Sequence, residues 1–286
     1  MAQIQKKQSV LIILIHNNDI ERNNKIRPNL AKLKEALSNE FIVKTAEISS
    51  QLKLVPHSML MLLRRDLTNL SLAYQWSRYR LIKITAIIRY LKQIISLLAT
   101  LYKYLLNVHN IFTRRQKSSA IEICVTDKHI RGWDIFLESN CETLLMFEDD
   151  AIFKSNTFSK LLYAVSEAYK LPSDMLLYAD LAGGCTLEEL GISHLAKEKK
   201  DGITIYSKLV TNTACAYLLN RSIVEDFKDL IINYPNYRLL AVDWMINKLF
   251  IEIECRNRKT HCFHFEPTAL NHGSATGDYP PWKRKA

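Results

Sequence analysis

Residues 143–153 read TLLMFEDDAIF, and this stretch decides the fold class. Four apolar residues, Leu144 to Phe147, carry a strand through a core before three acids arrive in succession at its carboxyl end. That end is where open α/β sheets bind ligands. On an extended backbone Glu148 and Asp150 point to one side and Asp149 to the other. Three adjacent carboxylates repel, so a buried strand end keeps them only beside a cation or a basic group. Hard ions such as Mg²⁺ or Mn²⁺ suit carboxylate oxygens and retain open positions for phosphate. A solvated loop after the strand is the bland alternative.

Working outward, strands and helices alternate. SVLIILIH (9–16) reads as a buried strand, 27–39 as a helix, and FIVKTAEI (41–48) as a second strand. AIEICV (120–125) reads as a short strand or bend, and 129–139 as a helix. FSKLLYAVSEAY is helical, DMLLYADL and GITIYSKLV are strands, and Ser222 is positioned to cap the helix that follows it. Between 56 and 112 the period changes to three and four, with bases set among Leu, Ile and Tyr, as in one or two long amphipathic helices. The expectation is one α/β domain over 1–286 with a mostly parallel central sheet and a helical insertion at about 56–117.

Composition agrees with a packed globular chain: 48% of the 286 residues are apolar and 24% charged. Seven Gly and seven Pro are too few for a turn-rich all-β or low-complexity protein. The six Cys are scattered without metal-type spacing, which argues against a disulfide framework or a zinc site. The charge is lopsided. The window 64–117 holds eleven Lys and Arg against one acid, Asp66, and so accounts for the whole net charge of +10. Such a segment suits an anionic membrane surface. A solvated basic face on a helical hairpin is an equal rival, and nucleic acid is a weaker one for want of any helix-turn-helix or zinc-finger pattern. Lys6 and Lys7 precede an apolar run of only about seven residues, short for a secretory signal. The uncharged stretch Gln93–Tyr102 is half of the roughly 20 residues a spanning helix needs. A cytoplasmic location is expected, with peripheral contact on the inner face of the membrane.

An ordered set of motifs resembles glycosyltransferase family 25, the lipooligosaccharide-type transferases. LLMFEDDAIF resembles the family's LIxEDDV. Upstream, Glu122, His129 and Trp133 fall at the intervals of its G-E-x-G-C-x-x-S-H-x-x-x-W pattern, although Cys124, Val125 and Lys128 stand where the pattern has Gly, Cys and Ser. Downstream, Thr213, Ala216, Tyr217 and Arg221 match its G-T-x-A-Y-x-I-S-R segment, AVDW resembles its P-V-D motif through Asp243, and EPTALNHGS ends the series. Asn17 and Arg22 are weaker counterparts at the start. The likeness spans Ile121 to Ser274, about half the chain, and leaves the basic helices without a counterpart.

The resemblance implies a GT-A-like, metal-dependent, inverting transferase that moves a hexose such as galactose from a UDP-sugar to a glycan or lipid-linked acceptor. Asp150, Glu148 and His272 become candidate ligands of a divalent ion (Mn²⁺ or Mg²⁺), and Asp243 the base that deprotonates the acceptor hydroxyl. Asn17, Glu122, His129, Glu148, Asp149, Asp180 and Thr213 become candidates for holding the nucleotide-sugar. Plainer readings stand beside these: Asp243 at a helix N-terminus, where a carboxylate favours the dipole, Asp180 as a loop cap, His272 as a bystander in a polar tail, and Tyr217, Trp133 and His264 as core. A non-catalytic membrane- or nucleic-acid-binding protein on a degenerate transferase fold is the rival class. A phosphoryl transferase lacks its Gly-rich loop here.

Overall fold

The six residues Val10 to Ile15 are all buried, and they divide between two separate cores. Leu11, Ile13 and Ile15 face one side of a sheet, while Val10, Ile12 and Leu14 face the other. A strand covered on both faces has to be apolar throughout, which is why this run lacks the alternation of a half-exposed strand. The protein was analysed as a computed structural model that describes residues 8–49, 58–79, 91–92, 94–99, 101–102, 113–185 and 187–280.

Ten strands are described: β1 (Ser9–His16), β2 (Ile42–Ser49), β3 (Thr143–Glu148), β4 (Ala151–Phe153), β5 (Leu176–Asp180), β6 (Ala196–Lys200), β7 (Ile203–Tyr206), β8 (Ala216–Asn220), β9 (Thr260–Phe265) and β10 (Leu270–His272). Eight form one sheet in the order β2-β1-β3-β8-β5-β9-β7-β6, and β4 pairs with β10 in a small separate ribbon. Six of the eight run in one direction, while β8 and β7 run against them. The class is therefore α/β with a large mixed sheet whose strands mostly share a direction.

Helices α1 (Ile20–Ser38) and α4 (Thr157–Lys170) cover one face, contributing Ile26, Leu30, Leu33, Leu161 and Val165 to its core. The other face packs under α2 (Met59–Tyr79), α3 (Thr113–Glu138), α5 (Arg221–Asn233) and α6 (Val242–Glu254), with Trp76, Trp133, Phe136, Phe227 and Phe250 between them. Arg221 ties two of these helices together. Its guanidinium donates to the carbonyls of Phe136, Leu137 and Cys141 at the end of α3, where a helix leaves acceptors unsatisfied.

Two expectations change. Residues 120–125 are not a strand or bend but the middle of the continuous helix α3. Their apolar run is short enough to fit either state, and Ile121, His129, Trp133 and Phe136 bury one helical face. The cap of α5 is Asn220, whose side chain accepts from the Ile223 amide; Ser222 instead donates to the Ser173 carbonyl. Within the expected insertion, α2 buries Leu62, Leu72 and Trp76 and leaves Leu60, Leu67 and Tyr74 exposed. Lys248 on α6 bonds to both Gln75 and Glu252, pinning α2 to α6. Residues 80–90, 93, 100 and 103–112 lie outside the described residues, and with them Arg80, Lys83, Arg89 and Lys103 of the basic window. Among the described residues no helix is long and apolar enough to cross a membrane.

Candidate active site

The sheet brings the acids to the carboxyl ends of β1 and β3, which lie side by side with Ile15 opposite Glu148. Asp149 points away from the cavity and is sealed. Its oxygens accept from the Asn17 backbone amide (3.2 Å) and from Arg22 Nη1 (3.1 Å). Lys128 Nζ donates to the His16 carbonyl (2.9 Å) and to Asn17 Oδ1, so the β1 turn is held from both sides. Burial raises the Asp149 carboxyl and the Arg22 guanidinium opposes that rise. Burial also lowers the Lys128 ammonium, an effect that Cys124, Asp149 and Glu148 counter only in part. Asn17 and Asp149 thus form an anchor for this end of the sheet.

Asp150 turns the other way and meets residues from two distant segments. The β4–β10 ribbon sets Ala151 opposite His272, which places His272 Nε2 3.3 Å from Asp150 Oδ2. Ser274 Oγ donates to the same oxygen. From β8, which runs beside β3, the Cys215 thiol lies 3.4 Å from Asp150 Oδ1. The fit here is close. Gly273 donates to the Asp150 carbonyl at 2.9 Å, and a Cβ on Gly273 would stand 2.4 Å from Tyr279 Cδ2. Burial pushes the Asp150 carboxyl up, but the hydrogen bond and charge of His272, then Ser274 and Arg22, outweigh it and hold it down at about 2. His272 is raised in turn, its bond to Asp150 overcoming burial.

The donor set of Asp150, His272 and Cys215 has ligand atoms all within 4.8 Å of one another. A carboxylate oxygen, an imidazole nitrogen and a thiol sulfur fit a divalent transition ion, and the sulfur favours a softer ion than Mg²⁺.

Glu148 is braced from behind. His129 Nε2 lies 2.9 Å from Glu148 Oε1, and His129 Nδ1 lies 2.8 Å from the Tyr217 hydroxyl, which accepts in turn from Trp133 Nε1. Gly132 allows this close approach: a Cβ there would sit 2.5 Å from Met146 Cε on β3. Burial, reinforced by Asp150, pushes Glu148 up to about 8, and burial lowers His129 to about 3. Tyr217 and Trp133 are core residues with polar handles in this chain of bonds.

A cavity of about 560 Å³ opens over these groups. It gathers six of the residues singled out in the sequence: Glu122, Glu148, Asp150, Thr213, Asp243 and His272. Thr213 Oγ1 bonds His272 Nδ1 at 3.2 Å, and Asp243 stands in the first turn of α6. Asn17, His129, Asp149 and Asp180 do not line this cavity. Asp180 is a loop hub, accepting from the amides of Gly183 (3.0 Å), Asn212 (2.8 Å) and Thr213 (3.3 Å) beside a smaller cavity. His264 is a core histidine on the Val210 carbonyl.

Sequence reasoning passed over Cys215 and Arg65, because nothing local marks either one. Arg65, counted among the basic face, instead pairs with Glu122 at the cavity wall. Searches with known family models and among curated proteins return no match to this chain.

Proposed function

We propose that this chain is a metal-dependent, inverting glycosyltransferase of the family 25 type on a GT-A-like fold. It transfers a hexose, galactose in the first instance, from a UDP-sugar to a glycan acceptor such as lipooligosaccharide. The observation that carries the reading is the meeting of Asp150 with His272 at one wall of a cavity that also holds Glu148 and Asp243. Acids at a strand end and a late histidine, remote in sequence, converge where a diphosphate and its counter-ion would sit.

In this reading Asp150, His272 and Cys215 would hold a divalent ion, which would supply Lewis-acid charge to offset that of the departing nucleoside diphosphate. The remaining chemistry belongs to the chain. The Asp243 carboxylate takes the proton from the acceptor hydroxyl as its oxygen attacks the anomeric carbon on the face opposite the leaving diphosphate. The new C–O bond forms as the bond to the diphosphate oxygen breaks, so configuration inverts. Glu148, fixed by His129, lines the donor end. Thr213 holds the His272 ring through Nδ1, orienting Nε2 toward Asp150.

Membrane association is part of the proposal. Leu91, Ile95, Leu98 and Tyr102 recur at helical spacing and are exposed by 50%, 65%, 57% and 64%. This stripe, among the bases Arg89, Lys92 and Lys103 of the sequence, suits an anionic leaflet carrying the acceptor.

The test is calorimetric titration of UDP, GDP, CMP and ADP, with and without Mn²⁺, into wild type and Asp150→Ala. Mn²⁺-dependent binding of UDP alone, lost in the variant, is expected. Failure of every nucleotide to bind in either condition would overturn the proposal.

A further inference from the structure

Two turns of chain meet beside the candidate ion ligands, and one carboxylate holds both. Asp180 ends β5, is 2% exposed, and makes no ion pair among the described residues. Backbone N–H groups meet its charge instead. Oδ1 accepts from the Gly183 amide at 3.0 Å, and Oδ2 from the amides of Asn212 (2.8 Å) and Thr213 (3.3 Å). We propose that Asp180 is the positioning residue of the ion site, acting through Thr213 on both His272 and Cys215. The inference rests on the reading above, in which those two side chains and Asp150 hold a divalent ion.

Thr213 is the link. Its Oγ1 lies 3.2 Å from His272 Nδ1 and accepts from the Cys215 amide at 3.4 Å. One hydroxyl oxygen thus touches two of the three residues that carry the ligand atoms. Neither contact occupies His272 Nε2 or Cys215 Sγ, the atoms that meet Asp150. Holding an imidazole by its second nitrogen sets the tautomer and direction of the nitrogen that binds the ion. Thr213 can do this only from a fixed backbone. Its amide is on Asp180, and its carbonyl accepts from Thr211 Oγ1 at 3.0 Å. Thr211 is clamped in turn by Asn247 of α6, which accepts from its amide at 3.1 Å and donates to its carbonyl at 3.2 Å.

The other Asp180 oxygen holds the turn at Gly183 and Gly184, which packs against the same histidine. A Cβ on Gly184 would lie 3.1 Å from His272 Nδ1, and Gly183 has a φ of +36°. Asn212 joins the two turns. Its Oδ1 accepts from the amides of Gly184 (3.3 Å) and Cys185 (3.0 Å), and its Nδ2 donates to the Cys185 carbonyl (2.6 Å). Such a hub needs two acceptor oxygens on one short side chain. Asn at position 180 would offer one, and its amide nitrogen would face N–H groups it cannot accept from. Asp180→Asn therefore leaves one of the two turns unheld.

Competition titration of Cd²⁺ and Mn²⁺ against a chromophoric chelator tests this on wild type, Asp180→Asn, Thr213→Val, Thr213→Ser and the double variant Asp180→Asn/Thr213→Val. Asp180→Asn and Thr213→Val are each expected to weaken both ions at least tenfold and to diminish the Cd²⁺–thiolate absorption. Thr213→Ser keeps the oxygen and should bind within threefold of wild type. Because Asp180 acts through Thr213, the double variant should lose no more than a further twofold. Losses that multiply would show a separate route and overturn the inference. So would variants that melt lower yet bind ions normally, since Asp180 would then be a loop cap alone. Unchanged ion affinity in Thr213→Val overturns it even if Asp180→Asn fails to fold. Where Asp150→Ala abolishes ion binding and neither Asp180→Asn nor Thr213→Val alters it, the inference falls and the transferase reading stands. A wild type that binds no divalent ion would overturn both.

Discussion

His129 Nε2 lies 2.9 Å from Glu148 Oε1, in a setting that disfavours charge on both. Burial and Lys128 lower His129 to about 3, while burial and Asp150 raise Glu148 to about 8. In the unfolded chain Glu148 ionises near 4.5 and the folded protein keeps it protonated to about 8. Its contribution to stability is therefore complete below 4.5 and is lost as pH rises through 8. For His129 the sign reverses: its contribution is present above 6.5 and is lost as pH falls toward 3. Glu148→Gln removes only the first effect. Thermal melts of the metal-free protein should show wild type losing several degrees between pH 5 and pH 8, at roughly 2–4 °C per kcal/mol, and the variant losing clearly less. An equal loss in both proteins would show that Glu148 ionises normally.

The Arg22–Asp149 pair is sealed from solvent, with side chains 1% and 0% exposed, and Arg22 also donates to the Pro280 carbonyl at 2.6 Å. Removing one partner leaves a buried charge uncompensated. Arg22→Met or Asp149→Leu alone should each cost about 3–5 kcal/mol in urea denaturation. The double variant, with both charges gone, should recover most of that loss. The Lys25–Glu21 pair on the same helix is exposed, and its removal should leave the midpoint in place. Additive single losses would sink the idea of a coupled buried pair.

How much of this was legible in the chain follows from which interactions are local. Val10 to Ile15 and Leu144 to Phe147 are apolar without interruption because both sheet faces are covered, and their strands could be read directly. The triplet Glu148-Asp149-Asp150 was legible as adjacent acids at a strand end, although β3 stops at Glu148 and the two aspartates form the turn before β4. Its partners were not. Cys215 reaches Asp150 only because β8 threads antiparallel between β3 and β5, and His272 arrives through a three-residue ribbon. The division of labour between Asp149 and Asp150 likewise came from Arg22, far off in sequence. Residues 120–125 misled because six apolar-rich residues carry no decisive period, whereas the full α3 does. Arg65 was hidden in a crowd of bases.

Cys215 makes a prediction about ion selectivity. A thiol 3.4 Å from Asp150 and near His272 adds a soft donor to a set otherwise suited to Mn²⁺ or Mg²⁺. Wild type should therefore bind Cd²⁺ or Zn²⁺ more tightly than Mn²⁺. Cys215→Ser should weaken Cd²⁺ at least tenfold while changing Mg²⁺ little, and His272→Ala should weaken every ion. Competition titration against a chromophoric chelator reads all of these directly. Equal Cd²⁺ affinity in wild type and Cys215→Ser would place the thiol outside the ligand set.

Asp243 separates a chemical role from a structural one. It stands in the first turn of α6, where a carboxylate favours the helix dipole by about 0.3–1 kcal/mol, and it also lines the cavity beside Glu148 and Asp150. Asp243→Asn keeps the shape and removes the base. If Asp243 takes the proton of the acceptor hydroxyl, turnover should fall roughly 10²–10⁴-fold. UDP affinity in Mn²⁺ should hold within twofold, and the melting temperature should drop by no more than the dipole contribution requires. Acceptor KM should move little, because the group acts on the proton and not on the ring. A variant that melts lower but turns over normally would make Asp243 a helix-stabilising acid, and the base would have to be sought among the other carboxylates of the cavity wall, Glu122 and Glu148.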